Sequence, residues 1–296
     1  MKPDGKETRP KRWGLLAPVL VLGLLFVITV FAGFVAYEAS REVQATTIAE
    51  RQAVSSGTGR LFVDLPGVQS EIVPGPAGGP IEIDGEFDAS GFRWMPEYRA
   101  DGEDWIYVAR LRPVRILEQA GVRGTLAASV RIRVPRDVPI SIEGRVGRDA
   151  DIELGGLSLV AADLKFGSGD HRVAFSERLP SPLERLALKA SVGELELVKL
   201  GNASPREVYV NKNVGDLCVD LRGPWEGDSA FEMECGLGSC DLHRPGAGDA
   251  VVRVWQRGTL LGDEPAATDE GLPVIEVKVE SAVRSSVELS ASLTGP

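Results

Sequence analysis

Serine, aspartate and histidine occur together in the segment GSGDH, residues 167–171. These are the residue types of a hydrolytic triad, in which a histidine activates the serine and a carboxylate orients the histidine. A triad is defined by geometry rather than by adjacency in sequence, and a glycine-rich turn explains this segment. Neither His171 nor His243, the two histidines of the chain, lies in a catalytic motif. We therefore expect no catalytic residues and no enzymatic activity, and we interpret His171 as a satisfied histidine of the core.

Three acidic residues occupy equivalent positions directly after a glycine: Asp170, Glu194 and Asp216. If the segments that carry them stack, their carboxylates form a column that could bind a cation such as Ca²⁺. The alternative is a solvated acidic edge, and the neighbouring positions supply no further ligands in a fixed pattern. We expect neither a metal nor another cofactor.

The chain contains three cysteines, Cys218, Cys235 and Cys240. Cys235 and Cys240 flank a glycine and are close enough in sequence to form a disulfide across a turn, which would leave Cys218 unpaired. The alternative is three unbonded cysteines. We do not expect a zinc site, because the chain has no Cys-x-x-Cys pair and its two histidines are far apart.

A glycine recurs at steps of 22, 24, 22 and 23 residues, at Gly147, Gly169, Gly193, Gly215 and Gly238. A polar residue follows each of these glycines. We predict that each one forms a structural turn between two short strands and adopts a positive φ angle, which glycine reaches at low cost.

Apolar residues recur around these glycines at alternating positions. In the third copy they are Leu186, Leu188 and Val192 before the glycine, and Leu195 and Leu197 after it. The fourth and fifth copies place Val214 and Leu237 at the position of Val192. Alternation with a period of two predicts strands with one side in a core, so we expect all these side chains to be buried.

A repeat of about 23 residues predicts an all-β fold for 136–296, with one turn of a parallel β-solenoid in each copy. A stack of antiparallel hairpins is the competing geometry, although the clear copies lack Asn-Gly and Asp-Gly hairpin turns. A sixth copy at 277–289 has Arg284 in place of glycine. Its distance from the fifth copy predicts an intervening coil near 261–263, with a looped-out insertion around 257–272.

Residues 13–37 form a run of 25 residues without a charge. Such a run is long enough to cross a bilayer as one helix. Residues 1–12 hold five basic and two acidic residues, so the positive-inside rule places them in the cytoplasm and the rest of the chain outside. We predict a single-pass protein of the bacterial cytoplasmic membrane; a cleaved signal peptide is the alternative.

Two regions connect this segment to the repeat. We interpret 38–59 as a helical or loosely ordered stalk that ends in a Ser/Gly linker, and 60–135 as a β region that caps the first coil. The latter could instead consist of degraded copies of the repeat.

The segments GSGDHRV, SVGELEL and NVGDLCVDL resemble the glycine-aspartate repeats of bacterial putative-adhesin domains, known as toast-rack or head GIN domains. They are also similar to the C-terminal domains of Lia-type proteins of the cell-envelope stress response. The resemblance covers roughly 129–290. It implies a β-repeat domain displayed on the envelope for adhesion or stress sensing, and it supplies no catalytic residues.

Three functions are compatible with these features. The first is a membrane-anchored interaction module, held by 13–37, that binds an envelope protein or polymer. The second is a β-helix enzyme acting on polysaccharide, and the third is a structural spacer that assembles end to end. The formal net charge of −10 argues against a nucleic-acid partner.

Overall fold

The computed structural model describes residues 24–26, 28–31, 33, 44–114, 128–256, 259–261, 271–281 and 286–290. The chain divides into two compact units, Met1–Val43 and Gln44–Pro296. In the first unit the described residues are helical. No helix among the residues that the structure describes has both the length and the apolar character needed to cross a membrane. Most of the predicted span 13–37 lies outside those residues.

The second unit is mostly β, as the sequence predicted. It also contains one described 3-10 turn at Leu200–Asn202. The strands are β1 Ala45–Gln52, β2 Gly59–Pro74, β3 Ile81–Asp88, β4 Phe92–Trp94, β5 Glu97–Asp101, β6 Asp104–Pro113, β7 Ser129–Val134, β8 Ile140–Glu153, β9 Leu159–Ser168, β10 His171–Ala174, β11 Arg185–Val192, β12 Leu195–Val198, β13 Glu207–Val214, β14 Leu217–Asp220, β15 Ser229–Leu237, β16 Ser239–His243, β17 Val251–Gln256, β18 Thr259–Leu261, β19 Val274–Ser281 and β20 Ser286–Ser290.

The strands form two layers, and all neighbours within a layer are parallel. Layer A contains, in order, β6, the first half of β2, the first half of β8, β9, β11, β13, β15, β19 and β17. Layer B contains β7, the second halves of β2 and β8, β10, β12, β14, β16 and β20. The two strands of one copy therefore lie in different layers, and the glycine turn joins them at a corner. Hairpins stacked on one another would instead give antiparallel neighbours.

Alternating side chains of both layers build one apolar core. In β11 the buried residues Leu186 and Leu188 lie in register with Val208 and Val210 of β13. Full burial of a Leu or Val side chain stabilises the fold by roughly 1.5–3 kcal/mol. Repetition of this pattern in successive strands therefore supports both layers.

The residue before the glycine does not face the core. Val192, Val214 and Leu237 are 49%, 41% and 53% exposed, so the prediction that they are buried is wrong. Val192 is the last residue of β11 and directly precedes the corner glycine, and the alternating burial of Leu186, Leu188 and Ala190 does not continue to it. The buried position is three residues before the glycine, where Ala190, Lys212 and Cys235 lie in register.

The chain doubles back at the amino-terminal end of the stack. Both halves of β2 pair in parallel with β8, and β6 and β7 then pair on the other side of β2. The region 60–135 therefore contributes strands to both layers, with antiparallel β3, β4 and β5 at its outer side. It belongs to the same compact unit as 136–296.

The carboxyl-terminal end is also non-sequential. β19 pairs directly with β15, so that Phe231 lies opposite Val277, which is 46 residues later in the chain. β17 pairs with the other side of β19. The prediction of an intervening coil between the fifth and sixth copies is therefore wrong. Residues 259–261 form β18, antiparallel to β17, and most of the predicted insertion at 257–272 lies outside the described residues.

The predicted stalk is also part of the fold. Strand β1 is antiparallel to β3, and the Glu50 carboxylate accepts hydrogen bonds from Trp94 Nε1 at 2.7 Å and from the Tyr107 hydroxyl at 2.8 Å. The segment expected to be a flexible linker is packed as well. A Cβ on Gly59 would lie 2.0 Å from the ring of the buried Trp105.

Candidate functional site

The glycine corners form a column along the stack. The φ angles are 133°, 111°, 110° and 141° at Gly169, Gly193, Gly215 and Gly238. Residues that carry a Cβ atom rarely adopt such angles. Gly147 does not have a positive φ, so that prediction is wrong for the first copy. Val146 lies in register with Phe166, which sets Gly147 beside Gly167 rather than beside Gly169. The positive-φ residues of the first copy are Gly144, at 134°, and Asp149, at 38°.

Close backbone packing gives a second reason for glycine at this column. A Cβ on Gly193, Gly215 or Gly238 would lie 2.0, 1.9 or 2.2 Å from the carbonyl oxygen of the preceding glycine of the column. The column therefore forms the tight edge at which the two layers meet.

The acidic residues next to this column connect successive copies. Asp149 Oδ1 accepts a hydrogen bond from the Asp170 backbone N–H at 3.2 Å, and Asp170 Oδ1 accepts one from the Glu194 N–H at 3.3 Å. Asp216 Oδ1 accepts from the Ser239 N–H at 2.9 Å and from the Ser239 hydroxyl at 2.8 Å. These carboxylates therefore satisfy backbone donors of the next copy, which gives the acidic column a structural role.

We expect Asp216→Ala to lower the free energy of unfolding by about 1 kcal/mol, which is the usual net contribution of one hydrogen bond to stability. The hydrogen bonds from Ser239 hold the pKa of Asp216 below its ordinary value of 3.8. The stabilisation is therefore complete above pH 3.8 and disappears as the pH falls through the lower folded-state pKa. Urea unfolding at pH 7 and pH 3 measures the difference. Glu194→Ala is the control, and an equal loss in both variants would contradict this role.

The Ser, Asp and His side chains of residues 167–171 do not form a triad. Ser168 and Asp170 are exposed, whereas His171 is buried and its ring lies 4.8 Å from the Phe166 ring. Within the described residues neither ring nitrogen of His171 makes a well-formed hydrogen bond, so the expectation of a satisfied histidine is wrong. Burial lowers the pKa of His171 below 6.5, and the neutral ring is the favoured form.

Lys212 lies inside the same corner, a placement that no sequence pattern indicated. Its side chain is 2% exposed, and its Nζ donates a hydrogen bond to the Val214 carbonyl oxygen at 2.7 Å. Burial lowers its pKa, although Asp216 and Asp170 partly counteract that effect. Ala190 precedes Lys212 in this inward column, and its small side chain leaves room for the lysine.

The structure contains a disulfide between Cys235 and Cys240, whose Cα atoms are 6.7 Å apart. It joins β15 of layer A to β16 of layer B across the corner of the fifth copy. Cys218 is free and half-buried in β14, beside Glu196 and Asp241 of the neighbouring strands. Burial and then the nearby carboxylates raise the pKa of the Cys218 thiol, so it is a poor nucleophile.

Asp220, at the end of β14 away from the glycine corner, is a buried carboxylate of layer B. Burial alone would raise the pKa of Asp220, but the Arg222 side chain bonds both of its oxygens, at 2.8 and 2.9 Å. The backbone N–H groups of Arg222 and Lys199 donate to the same carboxylate, and together these bonds keep its pKa below the ordinary value. Asp220 thus stabilises the loop that leads to the next copy.

A polar cleft of about 740 Å³ lies where β1, β3 and β7 meet the second halves of β2 and β8. Its lining includes Thr47, Gln69, Glu71, Glu86, Arg131 and Asp151. Its volume is within the range of ligand sites, and amide, hydroxyl and carboxylate groups suit hydroxyl-rich or cationic partners. Among the described residues, no three His, Cys, Asp or Glu side chains lie close enough to bind a metal together.

The fold defines a mostly β protein of parallel stacked strands. No family model matches the chain, and no curated protein matches it. It is similar to the solved structure of a putative cell adhesion protein from Clostridium sporogenes, with 12% identity, 85% of this chain and 100% of that chain covered, and a TM-score of 0.43. It is also similar to putative adhesins from Parabacteroides merdae (9% identity, 84% and 95% covered, TM-score 0.35) and Bacteroides fragilis (9% identity, 83% and 97% covered, TM-score 0.39). Likeness of this degree does not define a family for the chain.

Proposed function

We propose that this chain is a membrane-anchored, extracytoplasmic β-solenoid module that binds a protein or polymer of the bacterial envelope, in adhesion or in envelope-stress sensing. Residues 13–37 form its anchor and 1–12 its cytoplasmic tail. The solenoid itself acts by binding rather than by catalysis and needs no cofactor. It resembles in this respect the adhesin and Lia-type domains that its repeat suggests.

The polar cleft at the amino-terminal end of layer B is the observation that carries the proposal. It is held between two rigid sets of paired strands, so its shape does not depend on a flexible loop. Thr47 and Glu86 face each other across β1 and β3, and Arg131 and Asp151 approach from β7 and β8. The cleft offers both hydrogen-bond donors and hydrogen-bond acceptors to a partner with hydroxyl or amino groups.

Sedimentation with purified cell-wall sacculi, using the full chain in mild detergent, tests this function. We expect binding to the sacculi, or to an envelope protein captured by cross-linking at 47, and we expect Thr47→Arg to weaken it at least about tenfold by filling the cleft. Glu97→Lys, an exposed change on β5 outside the cleft, is the control. Binding that is absent, or that survives Thr47→Arg unchanged, would refute the proposal.

The placement outside the cytoplasm has its own test. In whole cells an oxidising compartment keeps Cys235 and Cys240 bonded, so a thiol-reactive mass tag should label one cysteine, Cys218, without reductant and three with it. Labelling of all three cysteines without reductant would place the module in the cytoplasm.

A further inference from the structure

On the outer face of layer A, two columns of side chains are basic on one side and acidic on the other. The column between them is mixed, with Glu143 and Asp163 in line with Glu232 and Lys278. One column of side chains in register reads Arg145, Lys165, Lys189, Asn211 and Glu234 on β8, β9, β11, β13 and β15. Glu280 of β19 continues the column. From β8 to β19, the basic residues of this column lie on the strands before the border between β11 and β13, and the acidic ones lie on the strands after it. We call these strands the basic half and the acidic half.

A parallel column four residues away repeats this arrangement. Arg185 of β11 lies in the basic half, and Glu207 of β13 and Glu276 of β19 lie in the acidic half. Within the described residues, no carboxylate forms an ion pair with Lys165 or Arg185. Like charges on neighbouring strands repel at a spacing of about 4.8 Å. Some of these charges have partners within the fold: Arg145 lies 3.8 Å from Asp64, and Glu276 lies 3.9 Å from Arg253. The Glu234 carboxylate accepts a hydrogen bond from Asn211.

We propose that the outer face of layer A binds a second copy of this chain about a twofold axis that runs parallel to the strands, between β11 and β13. This rotation reverses the order of the strands, so that each column faces the same column of the partner copy. Lys165 then faces the partner copy's Glu234, Arg145 faces its Glu280, and Arg185 faces its Glu207. Each contact occurs twice by symmetry, which makes the surface self-complementary.

The acidic half also has a place for the incoming cations. A groove of about 410 Å³ lies there beside the Tyr209 ring, lined by Glu207, Glu232 and Glu276 and also by Arg185 and Lys278. Lys189 already lies 5.3 Å from the centre of the Tyr209 ring within one copy, and the face of that ring is attractive to cations. One pair opposes the arrangement, because Asp163 would face the partner copy's Glu232.

The size of this face sets the strength that we expect. Six strands from β8 to β19 span about 29 Å, and the columns span about 15–20 Å, so the two copies together bury roughly 1,000 Å². That area is at the lower limit for a specific interface, and the contacts are mostly charged. The dimer is therefore weak and sensitive to salt, with a Kd of about 1–100 µM at low ionic strength.

Charge reversal with complementary rescue tests the proposal in the full chain in mild detergent, by sedimentation velocity at 50 and 500 mM NaCl. We expect dimers of the natural chain at low salt, and at least about tenfold weaker association in K165E/R185E and in E207K/E234K taken separately. An equimolar mixture of the two variants should associate again, because every reversed charge then faces a reversed partner.

The controls are R131E/R172E and E71K/E196K, which change charge by the same amounts on layer B and should leave the dimer unchanged. Three results would each overturn the proposal: a natural chain that stays monomeric at 100 µM, variants that associate like the natural chain, or a mixture that is not rescued. The inference rests on the charges of layer A and not on the cleft, so loss of sacculus binding leaves it untouched.

Discussion

Gly215→Ala should lower the free energy of unfolding by at least about 3 kcal/mol. The backbone of Gly215 has a φ of 110°, and an unfavourable backbone angle of this kind costs about 1–3 kcal/mol by itself. The new Cβ would also lie 1.9 Å from the Gly193 carbonyl oxygen. That oxygen belongs to the adjoining corner, so it cannot move away without displacing the strands of the third copy.

Two other glycines distinguish the cost of the unfavourable φ angle from the cost of the steric clash. Gly78 has a φ of 68°, but a Cβ added there would have no atom within 4 Å, so Gly78→Ala should cost about 1 kcal/mol. Gly227 has open space and an ordinary φ, and Gly227→Ala should be close to neutral. Urea unfolding of the full chain in mild detergent ranks the three variants. Equal effects would show that the corner column is not a tight edge.

Lys212→Met should raise the free energy of unfolding by about 2 kcal/mol at pH 7. The ammonium group is taken out of water and has one hydrogen bond, to Val214, with no ion pair among the described residues. Removal of a poorly compensated buried charge recovers its desolvation energy, and methionine has a similar length and flexibility. The Val214 carbonyl oxygen keeps the hydrogen bond that it accepts from the Gly193 N–H at 3.1 Å, so it is not left without a partner.

The gain from Lys212→Met should shrink as the pH rises. Burial lowers the folded-state pKa of Lys212 below 10.5, so the unfolded chain binds more protons between the two pKa values. The natural chain therefore reaches its full stability above pH 10.5 and loses part of it as the pH falls through the folded-state pKa. Lys189→Met, at an exposed lysine of β11, is the control in 500 mM NaCl and should change stability by less than about 0.5 kcal/mol. A loss of stability in Lys212→Met would contradict this account.

Local patterns in the sequence explain the corners well. Gly193 and Gly215 follow from the need for an unusual φ between two strands, and the residue after each glycine marks the exposed edge. Cys235 and Cys240 are five positions apart around one such corner, so their proximity depends on that turn alone. The role of the aspartates could also have been inferred, since a carboxylate at a fixed position in each copy can reach the backbone of the next.

Burial near the corners could not be read from residue type. Val192 continues the apolar alternation and yet is exposed, because it is the last residue of β11, next to the glycine corner, where the alternating burial ends. Lys212 has the type of a surface residue but occupies an inward position, where Ala190 on the adjacent strand leaves space. The cleft at Thr47 could not be predicted from the sequence either, because its walls come from β1, β3, β7 and β8, which are far apart along the chain.

The sequence by itself determined a mostly β chain and the corner glycines from Gly169 to Gly238, because these depend on contacts that recur at short and nearly constant separation. Only the tertiary structure decided the order of strands at the two ends, where β2 lies inside β6 and β7, and β19 lies between β15 and β17. Every terminal strand presents a similar apolar side and similar backbone donors, so local pattern cannot select its neighbour. The selection depends on which arrangement covers the two open edges of the stack, and that is a property of the whole chain.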